Sequence, residues 1–514
     1  MFEVLKTRAN QNSVYLGAPE AEGETSTSSR VSILDVYEDY HDLIPQLSSE
    51  KFIVIGRKGC GKSAFAQYVA MRSKVEPNLF CTFVSNGRSK LEDVVQIGAT
   101  NGYNIDKGSL FTWIIYTNIL KQFSEIPSIS DNSAFDPLRK FLAKNSGFID
   151  IGSFEIKELV EKHGFEVATE HFKRMISGAL RKSFESKSER APFYKLLPDL
   201  EACIVKFLSA PDVISQGNKF AIFFDDLDID FSISNQQSID SLVALVRACR
   251  HINLEVFGKN HIEAKAIILL RDDIEAYLMT RYADTAKIFS SYSAEIHWYQ
   301  AETASTSRSS YSNIRKFLNK RIIQALKKAQ IPVDVANPWQ SLVHYDHGND
   351  EAAWSYVLNQ TMYRPRDLLL FFKPLETGAY KIPLSSSDIT SLAQTYSDEL
   401  AAEIKNELSS FFSTSQIINI FSALHKINSL STCSYTAAKD IIEEFVGNED
   451  ADSVLEALFD RSIIGTSEST SEAAKGWVTF KYRDFVNTPK PAHLDKSLNI
   501  VVQYSIRNHV NRRH

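Results

Sequence analysis

An apolar run, Phe52-Ile53-Val54-Ile55, breaks off at Gly56-Arg57-Lys58-Gly59-Cys60-Gly61-Lys62-Ser63, and a helical pattern follows over 64–71. The short β-branched run closed by glycine reads as a buried strand. Three glycines in an eight-residue link from a buried strand to a helix leave few backbone solutions. The spacing fits G-x-x-x-x-G-K-[ST] without deviation, and its strand–loop–helix setting is the one that pattern requires. Glycines let successive N–H groups turn inward as an anion nest, and the positive end of the helix adds to it. Lys62 supplies a point charge for β- and γ-phosphates, and the Ser63 hydroxyl is a hard oxygen ligand for magnesium. The expected cofactors are therefore ATP and Mg2+. Gly56, Lys58, Gly59, Cys60, Gly61, Lys62, Ser63 and Ala64 would contact the nucleotide.

Further strands are predicted at 80–84, 220–224, 266–270 and 294–298. The strand at 220–224 ends in Asp225-Asp226-Leu227-Asp228, at the carboxyl edge where open α/β sheets bind their ligands. Asp225 is expected to complete the magnesium shell and Asp226 to polarise the attacking water, with Asp228 as a helix cap. The strand at 266–270 ends in Arg271, for which two readings stay open: a sensor of the γ-phosphate, or an ion pair with Asp272 or Asp273.

A chain of 514 residues exceeds one ordinary core. The expected fold is α/β: a parallel-sheet P-loop core over 31–300, a helical lid over 301–430 and a winged helix over 431–490. Residues 105–205, helical and aromatic, read as an inserted helical subdomain whose rings form core. Residues 1–30 read as a flexible segment and 491–514 as a basic, solvated tail. The net charge of −6 gives no global attraction to nucleic acid or anionic membrane. Five scattered cysteines suit a reducing compartment. The most apolar window, 110–120, is about half a membrane span, so a cytoplasmic protein without membrane contact is expected.

These residues resemble the additional-strand P-loop ATPases, and within them the AAA+, STAND and KAP group. The resemblance rests on the octapeptide with Ile55 before it, Phe223-Phe224-Asp225-Asp226-Leu227-Asp228, Ile268-Leu269-Leu270-Arg271, and Tyr363-Arg364-Pro365-Arg366-Asp367-Leu368. The last resembles the turn into a lid helix, where Arg366 would be a sensor-2-like arginine coupling nucleotide state to lid position. The other reading of Arg366 is a surface ion pair on a helix that Pro365 starts. Arg281 is a weaker candidate for a finger reaching a neighbouring subunit. The layout is also similar to bacterial P-loop ATPases of phage-defence loci, which implies a role in antiviral defence. Asp226 stands where the group commonly has glutamate, which implies slow hydrolysis.

The second helix of the winged-helix pattern carries Asp450, Asp452, Glu456 and Asp460 against Arg461. Such a face repels a duplex, so a protein contact is favoured over DNA binding. The leading expectation is a slow switch ATPase that controls homo-oligomerisation or a separate effector protein. The alternative is a DNA-dependent ATPase, resembling origin-recognition proteins, that loads or remodels on duplex DNA. A metabolic kinase fits less well, because the C-terminal region has no use there.

Overall fold

Apolar runs without alternation belong to strands covered on both faces, and the computed structural model places them in one parallel sheet. It describes residues 13–84, 106–144, 166–168, 190–225, 235–299, 312–344, 350–409, 411–447, 450–468, 478–483 and 494–513. The chain divides into two units. One comprises 41–57 and 65–296; the other comprises 1–40, 58–64 and 297–514.

The strands of the first unit are β1 (Ile53–Ile55), β2 (Leu79–Val84), a short antiparallel pair β3 (Glu166–Ala168) and β4 (Arg190–Pro192), β5 (Lys219–Phe224), β6 (Ala264–Leu270) and β7 (Ser293–Glu295). The five-stranded sheet runs β2-β5-β6-β1-β7, with every pair parallel. β1 is interior, and all three of its residues are buried. Phenylalanines pair across the register: Phe80 stacks on Phe220 at 5.3 Å and Phe83 on Phe223 at 5.6 Å.

The helix Lys107–Ser124 buries Leu110, Trp113, Tyr116 and Phe123 in the same core as Phe52, Ile55, Ile222 and Phe224. The Gln122 amide fastens it to the sheet, donating to Thr82 Oγ1 and to the Ala221 carbonyl, both at 2.8 Å. This corrects the start of the expected insertion. The helix covers the sheet because its broad apolar face needs one to bury against, so any inserted subdomain begins after it. Residues 145–165 and 169–189 of the expected insertion lie outside the described residues.

The second unit is mostly helical. Its longer helices include Asn313–Lys328, Asp350–Gln360, Pro365–Phe372, Ser386–Leu408 and Thr414–Ser429. Ser385 with Asp388 and Ser413 with Gln416 form capping boxes that fix two of these starts. Residues 13–30 differ from the loose segment expected. Val14 and Leu16 are buried, and buried Glu24 accepts from Arg321 at 2.6 and 2.9 Å. The acid is anchored because a distant arginine comes to meet it.

Helices Tyr435–Val446 and Ala451–Asp460 are followed by β8 (Ile464–Ser467) and β9 (Val478–Thr479). A third antiparallel strand, β10 (Asn499–Val502), completes the sheet β10-β8-β9. It lies beyond the expected boundary at 490. The segment read as a solvated tail thus supplies a strand and the helix Tyr504–Arg513, with Ile506 and Val510 buried. Two of its basic residues face acids of the same unit. Lys496 meets Asp452 at 2.8 Å, and Arg512 meets Asp398 at 3.2 Å.

Candidate functional site

Parallel pairing brings three of the expected residues to one edge of the sheet. Ile55 is in register with Leu270, and the Gly56 N–H donates to the Leu270 carbonyl at 3.2 Å, so Gly56 starts beside Arg271. Phe224 is in register with Ile268, which sets Asp225 at the same edge one strand away. Asp225 is only 7% exposed. The strand that ends in Arg271 therefore stands between the strand feeding the phosphate loop and the strand ending in Asp225. Asp226 and Asp228 lie outside the described residues.

The Arg271 guanidinium forks onto Asp273 at 2.9 and 2.6 Å, which matches its ion-pair reading. Arg281 lies over the Tyr277 ring at 4.7 Å. On the helix that Arg271 precedes, burial first, then Glu295 and Asp272, push the Glu275 carboxyl up to about 7. A carboxyl whose folded value exceeds its unfolded one loses stability as pH rises between the two. Glu275→Gln should therefore leave stability little changed near pH 4 and raise it at pH 8. Thermal melts at both values check this, and an equal effect at both would refute it.

The phosphate loop itself, from Lys58 to Ala64, belongs to the other unit. Gly59 and Gly61 hold φ of +77° and +105°, a backbone region that disfavours side chains. A Cβ on Gly59 would meet Arg366 Cβ at 3.1 Å, whereas the space at Gly61 is open to 4 Å. Lys62, Ser63 and Ala64 start the helix Lys62–Ser73.

Three consecutive carbonyls of the loop are tied. Arg364 Nη1 donates to the Lys58 carbonyl at 3.1 Å, the Arg366 N–H to the Gly59 carbonyl at 3.3 Å, and Trp298 Nε1 to the Cys60 carbonyl at 2.7 Å. Arg364 immediately precedes the helix Pro365–Phe372, whose first residue is the proline a helix start tolerates. It is 2% exposed and forks onto Asp367 at 2.8 Å twice, with Glu407 and Glu403 at 3.5 and 3.7 Å. Burial opposes its charge, but Asp367, Glu403 and Glu407 outweigh that and hold its pKa well above the ordinary value. The preceding Tyr363 takes φ +55° and stacks on Tyr482 at 5.4 Å. The Arg366 side chain reaches Glu403 at 3.3 Å and Glu20 at 3.4 Å, the contacts of its ion-pair reading.

Sequence reasoning singled out Arg366 and passed over Arg364, although both stand in the quoted motif. Nothing in the sequence marks Trp298 as a donor to the loop.

The residues present suit a nucleotide and its metal. Positive-φ glycines, a lysine and a helix start suit phosphate. Ser63 in one unit and Asp225 in the other are each, taken singly, a hard oxygen donor of the kind magnesium prefers. Among the described residues no cluster of three or more His, Cys, Asp or Glu could hold a metal by itself. No described helix is long and apolar enough to cross a membrane.

Residues 312–405 match the family described as the FunZ-associated C-terminal helical domain. No curated protein matches the chain. Among solved structures, the Aeropyrum pernix ORC2 protein, in ADPNP–ADP complexes, aligns at 10% identity with a TM-score of 0.37. The alignment covers 99% of this chain and 97% of that one. A likeness that distant carries no assignment.

Proposed function

We infer that this chain is a magnesium-dependent ATPase that acts as a slow switch, with ATP gripped by the octapeptide that Gly56 opens and Ser63 closes. The observation that carries the reading is the sheet edge. A complete phosphate-loop octapeptide leaves an interior parallel strand, and the strands ending in Arg271 and Asp225 follow in order on one side. The extra strand between the loop-bearing strand and the acid-bearing one supports the resemblance to the additional-strand group.

In this reading Lys62 neutralises the β- and γ-phosphates. Ser63 and Asp225 would hold magnesium, which supplies charge stabilisation at the transferred phosphoryl group. Asp226 orients and polarises the water, and Arg271 leaves Asp273 for the γ-phosphate when ATP is present. Arg366, beside Gly59, carries the state of the loop into the helix Pro365–Phe372. The helical unit, with its winged-helix-like C-terminal part, would then expose a surface for self-assembly or for an effector protein. A setting in antiviral defence rests on the resemblance to phage-defence ATPases.

Asp226→Asn tests the chemistry. It should retain magnesium-ATP binding within about threefold and lower turnover at least about 100-fold, the usual range for a lost general base. Calorimetry and phosphate release measure the two quantities. Native turnover in that variant would remove Asp226 from its role. The switch is tested by mass in solution: identical mass with ADP and with a slowly hydrolysed ATP analogue would remove it. Turnover raised by duplex DNA, in a salt-dependent manner, would favour the DNA-loading alternative.

A further inference from the structure

We propose that Arg364 and Trp298 are positioning residues that build the anion nest from behind, without touching the nucleotide. The inference rests on the nucleotide reading above and deepens it. In a planar trans peptide the carbonyl of one residue sets the direction of the next residue's N–H, which points the opposite way. Fixed carbonyls at Lys58, Gly59 and Cys60 therefore fix the aim of the N–H groups of Gly59, Cys60 and Gly61.

Each tie has a rigid source. Arg364 is locked by its fork onto Asp367, and that carboxylate also accepts from the Met362 N–H at 3.0 Å. The Trp298 ring is wedged edge-on between Tyr40 at 5.7 Å and Phe317 at 5.6 Å. The backbone N–H of Arg366 supplies the middle tie from the first turn of a helix. A glycine-rich loop has many conformations to lose when it binds phosphate. Donors held by packed side chains reduce that loss before the ligand arrives, which is preorganisation.

Arg364 also links the nest to the helix Ser386–Leu408. Its Nη1 lies 3.1 Å from the Lys58 carbonyl and 3.5 Å from Glu407 Oε1. A displacement of the loop would release that nitrogen to the carboxylate, so the long helix feels the loop through one guanidinium.

The test uses the full chain and magnesium-ATP, well below the melting temperature of every variant. Trp298→Phe keeps a packed ring and removes one donor. Its dissociation constant should rise about fivefold, the worth of one hydrogen bond. Arg364→Lys keeps the charge but loses the fork, and should also weaken ATP binding several-fold. Leu424→Ala is the control: it opens a cavity at a fully buried position on the helix Thr414–Ser429, an element that supplies none of the three donors to the loop. That variant should melt earlier than the native protein yet bind ATP with native affinity. If one donor variant fails to fold, the other decides. Native affinity in a folded donor variant overturns the proposal, and so does an equal loss of affinity in Leu424→Ala. If the native protein itself binds no ATP, the nucleotide reading fails and takes the proposal with it.

Discussion

Arg364→Ala should lower the stability of the helical unit by about 3–5 kcal/mol, the range found when one partner of a buried ion pair is removed. Asp367 is fully buried and Glu407 is close to it in burial, so these two acids would keep their place without their cation, while Glu403 would keep Arg366 at 3.3 Å. Domains are stable by only about 5–15 kcal/mol, which makes this a large share of the whole. The Met362 N–H would keep its bond to Asp367, but the Lys58 carbonyl would lose this donor. Urea denaturation followed by tryptophan fluorescence measures the loss. Arg364→Lys should lose less, since an ammonium restores charge without the planar fork. A loss below about 1 kcal/mol in Arg364→Ala would place the site among surface ion pairs and refute this account.

Lys62→Ala is expected to reduce magnesium-ATP affinity at least about 100-fold. A unit charge pair about 4 Å apart is worth about 4 kcal/mol at an effective dielectric near 20. Part of this is offset by the cost of desolvating the ammonium, and about 3 kcal/mol remains, or roughly two orders of magnitude in affinity. The unliganded fold should be unaffected, because Lys62 sits half-buried in the first turn of a helix rather than in a core. Calorimetric titration of native and variant protein decides. Equal affinities would mean that the octapeptide does not hold the triphosphate.

The strands were legible because each is a local event. The runs 52–55, 220–224 and 266–270 are apolar stretches ended by a glycine or a charge, and each lies in the sheet within a residue or two of its expected bounds. The positions of Asp225 and Arg271 at the strand ends were legible for the same reason, since they are the first polar residues after such runs. The helix Lys107–Ser124 was misplaced because an apolar helix looks alike whether it covers a sheet or fills a separate bundle. Residues 13–30 and 499–513 were misread for a different reason. Polar and basic segments look solvated until their partners, Arg321 for Glu24 and Asp398 for Arg512, are known.

The turn after β1 follows from adjacent residues alone. Glycines at 59 and 61, placed between a strand and a helix, permit the positive φ values that such a link needs, whatever surrounds it. What holds the turn in shape belongs instead to the folded chain as a whole. The donors to its carbonyls include Trp298 and Arg364, separated from their acceptors by 238 and 306 residues. No local pattern encodes such pairings, because a hydrogen bond depends on where two atoms meet in space and periodicity reports only on neighbours along the chain.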